Sequence, residues 1–185
     1  NTISYITMAS TGNATDFGDM TANTQYPGGA DNSSRGLIAG GHDGAYSNKI
    51  DYITIASTGN ATDFGDMTTG RHPPYACNDL TRSIFAGGQG DGGGSGLQEE
   101  IEYVTTAGSI FVETDTYYYS WFDGTTWTQP ARGIFCGGYN QNANTQTNVL
   151  EYISIQTLGN GTDFGDLSVG TYGSAGGGNG TRGVI

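Results

Sequence analysis

The residues most suited to chemistry are carboxylates that recur in pairs. The pentapeptide TDFGD occurs three times, and each copy holds two Asp residues with Phe and Gly between them. Carboxylate oxygens bind Ca²⁺, and a pair of carboxylates is also the machinery of glycoside hydrolysis. Three copies of one pair argue against catalysis, because an active site needs a single asymmetric arrangement, and Asp side chains commonly stabilise turns. The weak calcium candidates are Asp16, Asp19, Asp63, Asp66, Asp163 and Asp166.

A second set of candidates lies in three loops of unequal length, at residues 42–47, 89–98 and 139–147. Each loop follows a Gly-Gly pair, so the three occupy the same place in a repeated unit and are expected to emerge on one face. Length variation confined to one loop of a repeat is typical of a binding surface. The alternative is that these loops are solvated connections without a ligand. The residues expected to contact a partner first are His42, Asp43, Gln89, Asp91, Tyr139 and Asn140.

The composition excludes several classes of partner. Six Lys and Arg residues against eighteen Asp and Glu residues give a formal net charge of −12, which repels the phosphates of nucleic acids and of anionic lipids. No run of about 18 apolar residues is present, so no membrane insertion is expected. Cys77 and Cys136 lie at non-equivalent positions, so neither a disulfide nor a Cys/His metal site is expected.

The elements that position these residues are internal repeats. Residues 48–67, NKIDYITIASTGNATDFGDM, are nearly identical to residues 1–20 and closely similar to residues 148–167, and a looser copy begins at Glu100. The opening, rich in Ile, Tyr and Thr, predicts a strand, and the following STGN predicts a turn. TDFGD then predicts a short returning strand whose Phe points inward.

The third repeat departs from this pattern between residues 107 and 129. Two aromatic strands are expected there, joined by a tight turn at Asp123–Gly124. Trp127 is expected to take the inward position that Phe takes in the other repeats, at Phe17, Phe64 and Phe164.

A second signature consists of an Arg, a short apolar strand and a Gly pair. It reads RGLIAGG at 35–41, RSIFAGG at 82–88 and RGIFCGG at 132–138, and it begins again as RGVI at 182–185. The Gly pair allows a sharp change of backbone direction where a side chain would clash with the next sheet. The arginines are expected to anchor one unit to the next through hydrogen bonds to carboxylates or carbonyls. These structural positions are Arg35, Arg82, Arg132, Arg182, Gly40, Gly41, Gly87, Gly88, Gly137 and Gly138.

The order of these signatures resembles that of a known family. An apolar strand that ends in Gly-Gly, then a Tyr-bearing strand, then an inward aromatic residue is similar to the kelch motif of galactose-oxidase-like β-propellers, with Phe in place of the family's Trp in three repeats. The repeats are also similar to those of structural and tail-fibre proteins of marine bacteriophages, over nearly the whole chain. The resemblance implies a virion component or host-surface binder without catalytic residues.

The predicted fold is all-β, a kelch-like β-propeller of four blades with about 48 residues each, in a single repeat domain over residues 1–185. The strand RGVI either closes a four-bladed ring by pairing beside residues 1–20, or the chain is part of a larger propeller. The repeats span approximately residues 1–47, 48–98, 99–147 and 148–185.

The enzyme known on a similar propeller, a copper radical oxidase, needs two His and two Tyr side chains at one centre. His42 and His72 occupy different parts of their repeats, so no such centre is expected. The chain is therefore predicted to be a non-enzymatic structural or adhesive protein in a virion or outside the cell, as a tail fibre or surface decoration. Its expected partners are other virion proteins, copies of itself, or a host-surface glycan or protein. The alternative is a secreted carbohydrate-binding module, and no cofactor is predicted beyond the calcium candidates.

Overall fold

The computed structural model describes most of the chain, and the described residues form strands and turns. No helix in that part of the chain is long and apolar enough to cross a membrane. The described residues are 1–90, 96, 98, 100–105, 109–113, 125–129, 132–140, 143–157, 159–171, 177–178 and 181–185. Their strands are β1 (Thr2–Tyr5), β2 (Thr15–Asp19), β3 (Gly28–Asn32), β4 (Arg35–Ala39), β5 (Lys49–Thr54), β6 (Thr62–Asp66), β7 (Arg71–His72), β8 (Tyr75–Asn78), β9 (Arg82–Ala86), β10 (Gln89–Gly90), β11 (Ile101–Thr105), β12 (Ser109–Glu113), β13 (Thr125–Gln129), β14 (Arg132–Asn140), β15 (Thr145–Ser154), β16 (Thr162–Thr171), β17 (Gly177–Gly178) and β18 (Gly183–Val184).

Three four-stranded antiparallel sheets carry most of the fold. Sheet I has the order β3-β4-β5-β6, sheet II the order β8-β9-β11-β12, and sheet III the order β13-β14-β15-β16. Each sheet takes its first two strands from one sequence repeat and its last two from the next, so the sheets straddle the repeat boundaries. The pairs β1-β2, β7-β10 and β17-β18 form two-stranded sheets.

The two terminal pairs correspond to the two halves of one further sheet. β17 and β18 occupy the places of the first two strands of a sheet, and β1 and β2 occupy the places of the last two. Among the described strands, however, β18 pairs with β17 and not with β1. The described strands therefore do not form a closed ring.

Two apolar layers lie between consecutive sheets. One joins sheets I and II, where Leu37 and Ile50 pack with Phe85 and Val104. The other joins sheets II and III, and its buried members are Cys77, Ile84, Ala86, Ile101, Phe135, Ile153 and Ile155. Burial of apolar area between stacked neighbours is the main stabilising term in a repeat fold, so each sheet depends on the next one.

The Phe of TDFGD is buried to a different extent in each copy. Phe17 is 8% exposed and Phe64 is partly buried against the layer between sheets I and II, whereas Phe164 is 49% exposed. The inward position predicted for Phe164 is therefore wrong, because its ring lies on an open face of sheet III.

The position predicted for Trp127 is also wrong. Trp127 lies in β13, the first strand of sheet III, while TDFGD forms the fourth strand of a sheet. The fourth place in sheet II belongs to β12 instead. The turn predicted at Asp123–Gly124 lies outside the described residues.

Candidate functional site

The connections that leave the second and fourth strands emerge at the same end of a sheet. β4 and β6 run in the same direction because both are antiparallel to β5. Further pairing joins the connections of adjacent sheets, since Gln25 bridges to His42 and Gln89 pairs with His72. We call this end the loop face, and define it as residues 21–27, 40–48, 67–74 and 87–90.

Four rings meet on the loop face and form an aromatic cluster of Tyr26, His42, Tyr46 and His72. The His72 ring stacks on Tyr46 at 5.1 Å between centroids and 17° between planes, and on Tyr26 at 5.6 Å and 28°. His42 lies edge-on, 5.3 Å from Tyr46 and from His72. Tyr26 and Tyr46 each stack on His72, and within the described residues no ring contact joins the two tyrosines.

Backbone pairing from three connections holds the cluster in place. The amide of Gln25 donates to the carbonyl of His42 at 3.0 Å, and the amide of His42 donates back at 2.9 Å. His42 also bridges to Tyr46 across the tight loop between them. His72 is held by the ladder of β7 with β10. The four rings therefore come from segments far apart in sequence that share hydrogen bonds at one edge.

The two histidines of the cluster have different environments. His72 is 9% exposed, its Nδ1 has no hydrogen-bond partner, and burial followed by the nearby His42 lowers its pKa below the ordinary value of 6.5. His42 is half-buried, and its Nδ1 accepts the amide hydrogen of Gly44 at 3.3 Å. His72 is therefore a neutral stacking ring at physiological pH.

The convergence of His42 and His72 overturns the expectation that they lie apart. They meet, together with two tyrosines, because one follows a second strand and the other a fourth strand, and both connections reach the loop face. Nδ1 of His42 accepts the amide hydrogen of Gly44, so that nitrogen is not available to bind a metal in this arrangement. No three His, Cys, Asp or Glu side chains of the described chain form a group that could hold a metal ion.

The lowered pKa of His72 predicts a pH dependence of stability. A pKa that is lower in the folded state contributes stability that is present above pH 6.5 and is lost as the pH falls through the folded value. We expect the wild type to lose more unfolding free energy between pH 7.5 and pH 5.5 than His72→Phe, which keeps the stack without a titrating group. Urea unfolding at both pH values measures this, and equal losses in the two proteins would contradict it.

Only some of the residues predicted to contact a partner lie together at the aromatic cluster. His42 belongs to the cluster, Gln89 pairs with His72, and Asp43 is exposed beside His42. Tyr139 lies in the hairpin of sheet III and its hydroxyl donates to Oδ1 of Asn144. Asp91 and the side chain of Asn140 lie outside the described residues. Tyr26 and Tyr46 were missed by sequence reasoning, and the signal that could have found Tyr26 is its place directly before Pro27 in a connection.

In two of the Asp pairs, the first Asp accepts a hydrogen bond from the backbone of its own pentapeptide. Oδ1 of Asp63 accepts the amide hydrogen of Gly65 at 3.0 Å, and Oδ1 of Asp163 accepts that of Gly165 at the same distance. Gly65 has φ 143° and lies where the register of β5 and β6 shifts, so the Asp side chain stabilises a bulge. The remaining calcium candidates, Asp16, Asp19, Asp66 and Asp166, lie in β2, β6 and β16.

Arginine stacks on tyrosine within each of the three sheets. The guanidinium carbon lies 4.7 Å from the ring centroid of Tyr52 for Arg35, and 4.5 Å for both Arg82 over Tyr103 and Arg132 over Tyr152. Arg82 also donates from Nη1 to the carbonyl of Ile155, directly after β15 of sheet III, at 3.1 Å, so this arginine makes an inter-unit contact of the expected kind. Arg182, at the fourth position of the series, is exposed before β18.

The Gly pairs adopt backbone conformations that favour glycine. Gly40 and Gly41 have φ values of 67° and 103°. A Cβ on Gly40 would lie 2.6 Å from the carbonyl oxygen of Arg71, in the connection to sheet II. The other two pairs also have positive φ, at Gly87, Gly88, Gly137 and Gly138.

A buried acid in the third strand of a sheet accepts hydrogen bonds from the connection that precedes that sheet. Asp51 accepts from the amide and hydroxyl of Thr21, and Glu102 accepts from the amide and hydroxyl of Thr68. Glu102 also forms an ion pair with Nη2 of Arg71 at 2.6 Å. Sequence reasoning missed these contacts, although the acid and the Thr recur at equivalent positions.

The cysteines are buried thiols and not a disulfide. Burial raises the pKa of Cys77 to about 12 and that of Cys136 to about 11. Cys77 lies in the apolar layer between sheets II and III, and Cys136 is buried in β14, so both serve as apolar packing groups.

Comparison with known proteins identifies the fold only. No family model and no curated protein matches the chain. The solved structure of YjhT is similar to it over 83% of this chain, with a TM-score of 0.68 and 8% sequence identity. The shared fold is β-propeller-like. The chain spans 56% of the length of YjhT, and identity at this level carries no information about activity.

Proposed function

We propose that the chain is a non-enzymatic adhesive module of a virion, in a tail fibre or a surface decoration, and that it binds its partner with the loop face. The observation that carries the proposal is the aromatic cluster, which presents the 58% exposed ring of Tyr26 from a rigid stack. Rigid aromatic residues at the ends of a repeat scaffold are typical of binding surfaces, because they supply contact area at a low entropic cost.

The scaffold that we propose is a kelch-like propeller. The Arg-on-Tyr contacts, the Gly pairs and the inter-sheet hydrogen bonds recur from sheet to sheet, which supports blades of one design. A four-bladed ring would pair β18 with β1, and a larger propeller would insert further blades between them. Copies of this chain or other virion proteins would contact the module away from the loop face.

The alternative is a secreted carbohydrate-binding module. The same exposed ring supports it, because the alternative differs in where the protein resides and not in which face binds. Acidic charge supports either location, since it disfavours adsorption to nucleic acid and to anionic lipid.

Electron microscopy of the native source material tests the proposal. With an antibody against the chain, we expect label at regular spacing on a capsid, tail or filament, and the projected ring reveals the number of blades. Label that appears only on free rings would reject the virion assignment and favour the secreted module.

A further inference from the structure

We infer that the open face of Tyr26 is the stacking platform for one sugar ring of a neutral glycan. The inference rests on the proposed binding role of the loop face and names the class of ligand. Three observations support it: the strained backbone of Tyr26, the exposure of one face of its ring, and the net charge of the protein.

Tyr26 is held in a conformation that tyrosine rarely adopts. Its φ is 56°, and it shares the left-handed region with Asn144 alone among the described residues other than glycine. Such a conformation costs on the order of 1–2 kcal/mol, and it persists only where the surroundings determine it. Here the stack on His72 and the backbone bridge of Gln25 determine it. Residues in strained backbone conformations cluster at ligand-binding sites, so the strain at Tyr26 supports a ligand for its ring.

The cluster offers one flat aromatic face rather than a cage. One face of Tyr26 stacks on His72 and the residue is 58% exposed, whereas Tyr46 and His42 are half-buried. The face of Tyr26 that points away from His72 is therefore the open one. A quaternary ammonium ligand is typically enclosed by a cage of several rings, whereas the apolar face of a pyranose packs its axial C–H bonds against a single flat ring.

The net charge of the protein and the polar residues near Tyr26 in sequence favour a neutral sugar as the class of ligand. The net charge of −12 disfavours sialylated, sulfated or phosphorylated ligands. Gln25 precedes Tyr26 and bridges to His42, and Asp43 follows His42. Both are exposed, so the loop face carries an amide and a carboxylate group that could bind sugar hydroxyls. An aromatic surface with a few convergent polar groups is the usual make-up of a small-molecule site.

The experiment uses the full chain, immobilised and exposed to oligosaccharides that end in galactose, glucose, mannose or N-acetylglucosamine. Sialylated and sulfated glycans and a trimethylammonium salt serve as comparison probes. We expect saturable binding of at least one neutral glycan, a loss of about tenfold or more in affinity for Tyr26→Ala, and retention within about twofold for Tyr26→Phe. Tyr5→Ala, which removes another exposed tyrosine at the end of β1 and outside the loop face, is the matched control and is expected to bind normally.

Three results would overturn the inference. They are neutral glycan binding that survives Tyr26→Ala in a folded protein, preference for the trimethylammonium or anionic probes, and absence of any glycan binding. A circular dichroism spectrum and an unfolding curve for Tyr26→Ala establish that the variant is folded. Label on virions without glycan binding would reject the sugar platform and leave the proposed adhesive function standing, so the two failures are distinguishable.

Discussion

Replacement of Arg71 by Met is expected to lower the unfolding free energy by about 3–5 kcal/mol. Both partners of its ion pair with Glu102 are fully buried, with the side chains 0% exposed. Burial lowers the pKa of Arg71, and the charges of Glu102 and then Glu100 oppose that effect. Removal of the guanidinium leaves a buried carboxylate whose remaining partners are the amide and hydroxyl of Thr68. An unpaired buried charge is among the most costly changes in a protein interior.

Loss of Arg71 is expected to disturb more than its ion pair with Glu102, because Arg71 lies between two sheets. It belongs to the connection that leaves sheet I, while Glu102 lies in the third strand of sheet II. Nη1 of Arg71 also contacts Oε2 of Glu100 at 3.3 Å. Loss of these contacts is expected to loosen the junction that also carries the apolar layer of Phe85 and Val104.

The double variant Arg71→Met, Glu102→Gln is the control for charge. It removes the carboxylate and keeps a carbonyl oxygen for Thr68, so most of the lost stability should return. Arg132→Met, at an exposed arginine that stacks on Tyr152, is the control for the substitution itself and should cost below about 1 kcal/mol. Urea unfolding measures all three, and equal destabilisation by Arg71→Met and Arg132→Met would contradict the argument.

The positions of the strands were predictable from the sequence, because the same strand-forming patterns recur in several repeats. β5, β6 and β9 fall where the Ile/Tyr-rich, TDFGD and Arg-apolar signatures place them. The succession of an Arg-apolar strand, a Tyr-bearing strand and a TDFGD strand was predictable, and β4, β5 and β6 pair in that order. The bounds of the units were not predictable, because a periodic sequence has no intrinsic starting point. The hydrogen bonds between β4 and β5 cross the repeat boundary after residue 47, and only the tertiary pairing reveals this.

The aromatic cluster could not be predicted from the sequence either. Tyr26 and His72 lie in equivalent connections of successive repeats but at neighbouring positions, and His42 lies in the connection that follows a second strand, so no shared repeat position relates the three rings. They meet because successive sheets stack and their connections pair edge to edge. By contrast, the acids Asp51 and Glu102 occupy equivalent positions, and the Thr that each one binds is also equivalent. That contact could have been read from the repeats, since an acid retained among apolar residues of a buried strand requires a donor.

Gly28→Ala is expected to destabilise the protein by about 1–3 kcal/mol, whereas Gly29→Ala in the same strand is not. Gly28 is buried in β3, and a Cβ there would overlap the carbonyl oxygen of Pro74 and lie 2.9 Å from its Cγ. Pro74 is buried in the connection between β7 and β8, so neither the backbone nor the ring can move aside without disturbing the junction of sheets I and II. Overpacking of this kind forces a backbone shift.

Gly29 provides a control one residue away. It lies in β3 on the exposed side, and a Cβ there would meet nothing within 4 Å. Because alanine restricts the unfolded chain more than glycine does, Gly29→Ala should be neutral or stabilising by up to about 1 kcal/mol. Both variants carry the same substitution in one strand, so its effect on the entropy of the unfolded chain is common to them. The difference between their unfolding free energies, measured by thermal and urea unfolding, therefore reports the cost of overpacking at Gly28. If the two variants unfold alike, the junction between sheets I and II is not closely packed at Gly28, and the stacking of sheets at that point would need to be revised.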